Sequence, residues 1–368
     1  MRKIFFLIVI SLFLPFFVLA QNSQDKNDRA FKAEVIEIVE EKDSQLPGGS
    51  RTFQQNIKLK GLEGEYEAKE IFFEGISDFA LIGSRKYKEG DRVMMVASSD
   101  DQGKTTFYIT DYVRSGAIFW LSLIFVLTLL IVGKNKGLRA ILSLALTFLV
   151  VIYFIVPKAL SGGSIVLSTL IGSIFILGVV VYLTEGFRVR SHIAMASLAV
   201  SLLITVIISW IFVEISKLSG LASEDVAHLV NVGRGVVNFK GLLFSGIMIG
   251  TLGVMDDVVI SQIAAVEQIY EANKGQTAKE LFKRSFEVGT SHISSMTNTL
   301  FLAYAGASLP LLILFVSGES AFSSFSHIIN NEAIATEIVR TLTGSIGLIL
   351  AVPISTFLAV WVYKSHNA

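Results

Sequence analysis

The chain has 368 residues, 52% of them hydrophobic and 17% charged, with a mean hydropathy of +0.63, above the level of a water-soluble domain. It reads as a polytopic α-helical membrane protein whose first partner is the lipid bilayer. A formal net charge of zero gives no case for nucleic acid, and the absence of cysteine excludes disulfides, thiolate metal sites, cysteine nucleophiles and iron–sulfur ligation.

In chain order, Arg2 and Lys3 precede an apolar run from Ile4 to Leu19, and Val18 and Ala20 supply the spacing of a cleavage site. Residues 1–20 are expected to be a signal peptide or, in the alternative, an uncleaved anchor. Either exports the residues downstream of it. Residues 21–113 are then an exported domain with five short runs of partial alternation: FKAEVIEIVEE, RTFQQNIKLKG, EGEYEAKEIFFEG, DRVMMVASSD and KTTFYITDYV. PGG, GLEG, KEG and DDQG divide them. The pattern suits a small all-β, OB-like barrel. Its role is either to meet a protein partner or ligand or to serve as a plain cap.

Residues 114–368 form the transmembrane domain. Seven spans fall at about 115–133, 138–157, 163–184, 193–215, 239–263, 294–316 and 343–363, each long enough for roughly 30 Å of hydrocarbon. Lys134, Lys136 and Arg139, then Arg188 and Arg190, then Lys274, Lys279, Lys283 and Arg284, then Lys364 occupy alternate connections. Those connections are expected to be cytoplasmic. Lys158, Lys217, Arg234 and Lys240 form a minority on the other side. This puts the protein in the cell membrane with its N-terminal domain outside and its C-terminus inside.

Within the fifth span, GVMDDVVISQ holds two adjacent carboxylates. Gly246, Gly250, Gly253, Asp257 and Ser261 recur every three or four residues, a helical stripe of small residues ending in a carboxylate and a hydroxyl. Gly246 and Gly250 suit close helix packing, so Asp257 is expected to face a neighbouring helix. Asp256 lies about 100° round the helix. An intramembrane carboxylate costs roughly 2.5–3.5 kcal/mol at the bilayer centre, and two together make a proton- or cation-binding site the functional expectation. The alternative places both near the cytoplasmic interface as interhelical bonds.

At the start of the sixth span, His292, Ser295, Asn298 and Thr299 line one side, and Ala303, Ala305, Gly306 and Ala307 make the helix narrow. His292 is either an interfacial residue or a proton carrier. Asn298 suits a bond between helices, and Pro310 a tolerated kink.

GLLFSGIMIGTLGVMDDVVIS at 241–261 and SSMTNTLFLAYAGASLPLLILF at 294–315, with LASEDVAHLV at 221–230, resemble the YibE/F-like family of bacterial membrane proteins. The resemblance covers most of the membrane region, and the β domain resembles the family's usual N-terminal part. It implies that Asp257 is the aspartate many members carry after methionine. It also maps an Arg-Asp pair of those members onto Thr290 and Ser291, which carry neither charge, so that His292 and Asp256 stand as substitutes. GVMDDVVISQIAAVEQIYEANKG with the adjoining TAKELFKRSFEVG is similar, over a shorter register, to SecD/SecF and other RND-type permeases, which implies a proton-relay role for Asp256 or Asp257.

No HExxH, CxxC, GxSxG or Walker pattern occurs, so no enzyme, cofactor or metal is expected. Adjacent aspartates on a helix point in different directions, unlike a facing catalytic dyad. The expected function is proton- or cation-coupled movement of an unidentified solute. The alternative is a non-transporting scaffold whose exported domain recruits a protein.

Overall fold

The structure, a computed structural model, describes residues 28–45, 51–76, 86–99, 105–222, 226, 237–317 and 324–365. The signal segment, the PGG and DDQG turns, Arg234 and most of LASEDVAHLV lie outside the described residues. The chain divides into two compact units, Met1–Thr128 and Leu129–Ala368.

In the first unit every expected strand run carries a strand: β1 (Asp28–Gln45), β2 (Arg51–Gly61), β3 (Glu70–Glu74), β4 (Arg92–Ser99) and β5 (Thr105–Tyr112). They pair antiparallel in the order β3-β2-β1-β4-β5, curled into a half-barrel. Alternation decides the inner face. Phe31, Ala33 and Val35 of β1 meet Ile57 and Leu59 of β2, Ile71 of β3, and Val93, Met95 and Ala97 of β4. Each large aliphatic buried there contributes about 1.5–3 kcal/mol. Register shifts after Val35 and Ile38 in β1, and at Met94/Met95 in β4, add the local bend that curls a sheet.

The helices are α1 (Ser115–Val150), which continues through a π-helical turn (Val151–Ile155) into α2 (Val156–Leu160), then α3 (Ile165–Glu185), α4 (Val189–Ile215), α5 (Phe239–Ala272), α6 (Ala278–Ala307), α7 (Leu309–Val316), α8 (Phe325–Asn330) and α9 (Glu332–Ser365). Among the described residues, five helical stretches are long and apolar enough to cross a membrane: Ser115–Leu160, Ile165–Glu185, Val189–Ile215, Phe239–Ala272 and Glu332–Ser365. The sequence suggests seven spans, and two local causes account for the difference. The first two expected spans fall within one 46-residue helical stretch, which is interrupted at Lys134, where φ is 48° and ψ −125°. The sixth is shared between α6 and α7, which are separated at Ser308. α6 itself begins in the charged segment AKELFKR, and Pro310 sits in the first turn of α7, where its missing N–H has no helical partner to lose.

Side-chain contacts tie the ends of the helices together. Arg139 donates to the Thr184 carbonyl at 3.4 Å, Arg190 pairs with Glu185 at 2.6 Å and Glu267 at 3.5 Å, and Lys364 donates to the Lys274 carbonyl at 2.8 Å. Residues from all four basic clusters therefore gather at one end of the bundle. At the other end Lys240 pairs with Glu214 at 2.7 Å, and the Ser219 hydroxyl donates to Glu332 at 2.6 Å. Between the ends, Leu198, Leu202, Leu252, Met255, Val259, Ile263 and Ala351 make a continuous core.

Candidate functional site: the open face of α5 and α6

α5 is capped at its start by the Asn238 side chain, which accepts from the Gly241 N–H at 2.9 Å. Asp257 lies 18 residues on, about 27 Å along the axis at 1.5 Å per residue, and a further 15 residues, about 22 Å, from the end at Ala272. The carboxylates thus sit well inside the helix.

One side of α5 is packed. Thr251, Leu252, Met255, Val258, Val259, Gln262 and Ile263 are buried there. Gln262, 2% exposed, donates from Nε2 to the Ser285 carbonyl and to the Thr356 hydroxyl, both at 2.8 Å, so one amide joins α5, α6 and α9. That residue closes the GVMDDVVISQ stretch, and its polarity within an apolar run is the signal that marks it.

The opposite side is open. Gly246, Gly250, Gly253, Asp257 and Ser261 are all exposed, so the stripe expected to meet a neighbouring helix is the more open face of α5 among the described residues. Among the described residues, no atom lies within 4 Å of where a Cβ would stand on Gly246, Gly253 or Gly306; at Gly250 the Tyr304 hydroxyl oxygen stands 2.7 Å away. Close helix approach occurs elsewhere. A Cβ on Gly347 would fall 1.9 Å from the Thr205 hydroxyl oxygen of α4, one on Gly344 3.0 Å from that of Thr251, and one on Gly289 2.5 Å from Val352.

Asp256 is half-buried and Asp257 exposed. The Asp256 carboxylate accepts from the Asp257 N–H at 3.0 Å, and the Ser261 hydroxyl donates to the carbonyls of Asp257 and Val258. Among the described residues neither carboxylate has an ion-pair partner.

α6 runs back beside α5. Its N-terminus carries a capping box, with the Thr277 hydroxyl accepting from the Glu280 N–H at 3.2 Å and the Glu280 carboxylate accepting from the Thr277 N–H at 2.8 Å. Because Gln262 reaches Ser285, the rise per residue sets Asp257 about level with Thr290–His292. His292, Ser295, Asn298 and Thr299 are exposed; the Thr299 hydroxyl donates to the Ser295 carbonyl at 3.0 Å. Thr290 and Ser291 turn their hydroxyls onto the Glu287 carbonyl at 2.8 and 3.4 Å. The fold thus brings the two polar groups onto adjacent helices at overlapping heights, while no hydrogen bond or ion pair among the described residues links Asp256 or Asp257 to an α6 side chain. What the arrangement offers chemically is two carboxylates beside a row of neutral donors and acceptors, a set that suits a proton or a hard cation.

A family model for YibE/F-like proteins matches residues 121–365, more than half of the 368 residues. The chain belongs to the YibE/F-like family. No curated protein and no solved structure matches it. The family match covers all of α3 to α9, including both polar helices, and excludes β1–β5.

Proposed function

We propose that this YibE/F-like chain is a seven-pass permease of the cell membrane in which Asp256 and Asp257 couple protons or cations to the movement of an unidentified solute. The observation that carries the reading is a pair of carboxylates, without an ion-pair partner among the described residues, inside a helix apolar enough to cross a membrane. Such charges face a cavity, a partner or an exchangeable ion. Asp257 is the primary ion-binding group, Asp256 is a second carboxylate beside it, and Ser261, His292, Ser295, Asn298 and Thr299 shape the path. The break at Lys134 divides the 46-residue stretch, about 69 Å long, into two crossings, and α6 with α7 adds another. Basic residues gathered at one end support a cytoplasmic side there, with the β half-barrel outside. The strand pairing, in which β1 lies between β2 and β4, supports an OB-like domain.

The test is proton uptake and release by the purified protein in liposomes across the acidic-to-neutral range, wild type against Asp257→Asn and Asp256→Asn. Loss of exchange in Asp257→Asn, with the fold retained, is expected. Unchanged exchange in a folded variant overturns ion coupling. The open face of α5 and α6 favours a second reading, a scaffold that holds a protein partner; there Asp257→Asn leaves proton exchange intact and abolishes co-purification of that partner.

A further inference from the structure

At the end of the bundle away from Lys274 and Lys364, a cavity of about 770 Å³ opens between the π-helical turn and α2, the first turns of α5, the α6–α7 junction and the start of α9. Its volume falls in the roughly 300–1,000 Å³ range of small-molecule sites. Aliphatic side chains such as Ile155, Leu243, Ile249 and Leu311 form most of the wall. Gly246 lines it eleven residues before Asp257, about 16 Å along the helix, so the cavity is separate from the carboxylates.

Ser245 and Ser308 also line the cavity, the Ser245 hydroxyl already bonded to Thr169 and to the Gly241 carbonyl; the other polar side chains come from one stripe of α9. Thr336 is 7% exposed, and its hydroxyl has no hydrogen-bond partner among the described residues. Thr297 and Ser345 also carry buried hydroxyls without a partner among the described residues, but Thr336 is the one of the three that lines the cavity. Thr205, Thr251, Thr343 and Thr356 are also buried, and each donates to the carbonyl four residues back at 2.7–2.8 Å, the ordinary solution for a helical threonine. One turn beyond Thr336, on the same side, Arg340 directs Nη1 to Glu337 at 3.1 Å, whereas its Nε is shielded from solvent and has no acceptor among the described residues. Two buried donors without a partner among the described residues therefore border a mostly apolar cavity, and leaving buried donors unpaired is unfavourable. Glu337 already balances the guanidinium. A second carboxylate would bring an uncompensated charge into apolar surroundings, while a neutral carbonyl oxygen accepts from both donors without one.

We infer that this cavity is a binding site for a neutral aliphatic molecule bearing a carbonyl, whose oxygen accepts from the Thr336 hydroxyl and Arg340 Nε while its chain lies along Ile155, Ile249 and Leu311. Binding here does not depend on ion coupling at Asp257. The same chemistry is offered by a free solute, such as a fatty amide, and by the ester of a membrane lipid.

The experiment uses the full chain in phosphatidylcholine nanodiscs, with a radiolabelled fatty amide as the probe and the fatty acid and alkane of equal length as competitors. Saturable amide binding, competed poorly by acid and alkane, assigns a free solute. No amide binding, but a phospholipid retained through detergent exchange by wild type and lost in Gly246→Phe, assigns the lipid ester. Gly246→Phe places a ring in the cavity from a position whose Cβ meets nothing within 4 Å, and is expected to weaken binding at least about tenfold. Thr336→Val, nearly isosteric, is expected to weaken it about fivefold. Equal competition by the alkane or the acid overturns the neutral-carbonyl assignment. Binding unchanged in folded Gly246→Phe and Thr336→Val overturns the site.

Discussion

The two sides of α5 have similar small and polar residue types but very different surroundings. On one side Gln262 is buried and bonded to α6 and α9; on the other Gly253, Asp257 and Ser261 are exposed. A polar group on the packed side is satisfied by its neighbours and holds helices together. One on the open side has no such structural duty, which is why function is assigned there.

Glycine substitutions break this comparison most directly. Gly347→Ala brings a methyl to within 1.9 Å of the Thr205 hydroxyl oxygen and 3.0 Å of its Cβ. Thr205 is stiff at χ1 and holds the Ser201 carbonyl at 2.8 Å, so α4 and α9 must separate. The expected loss is about 3 kcal/mol, read as a lowered melting temperature in detergent. Retention of wild-type stability would mean the helices are less tightly packed than described. Gln262→Leu comes next: it leaves the Ser285 carbonyl without this donor inside the core, at about 1–3 kcal/mol. Its sensitivity should exceed that of Ser261→Ala, whose hydroxyl, among the described residues, bonds only within its own helix.

A smaller effect is expected at the turn before α6. Thr277→Ala removes the cap and about 1 kcal/mol, visible as roughly fivefold faster amide exchange in the first turn of α6. Hydrogen bonds from the Thr277 N–H, then from its hydroxyl, hold the Glu280 carboxyl below its usual range. Linkage sets the sign: the contribution is complete above the unfolded carboxylate range and is lost as pH falls through the lower folded value. Amide protection at this turn should therefore decline on acidification in wild type and stay flat in Glu280→Gln. Smallest of all is Gly253→Ala on the open side of α5. It meets no atom among the described residues and should be neutral or stabilising by up to about 1 kcal/mol; a clear loss of stability would reveal a partner on that face.

Much of this was legible in the residues, and the limits have a physical cause. In the β unit water covers one side of the sheet, so alternation at Phe31, Ala33 and Val35 names the buried side directly. A membrane-crossing helix is apolar both where it packs and where it meets lipid. The three-to-four spacing of Gly246, Gly250 and Gly253 therefore identifies residues that share a face without saying what the face meets. The real close approaches, Gly344 and Gly347 of α9 against threonines of α5 and α4, carry the same small-residue signal in TGSIG at 343–347. The cavity donors are fainter still, because Glu337 and Arg340 read as an ordinary pair three residues apart, and an unmade hydrogen bond at Thr336 leaves no trace in a sequence.

The irregular backbone at Lys134 has a consequence for the whole fold. On the seven-pass topology proposed above, the interruption acts as a parity element: with it the chain makes two passes before α3, without it one. On that topology, a variant that ran straight through position 134 would keep the downstream helices while reversing the sense in which they cross the bilayer. The proposed topology therefore makes one residue of positive φ the element that sets which way round the bundle inserts.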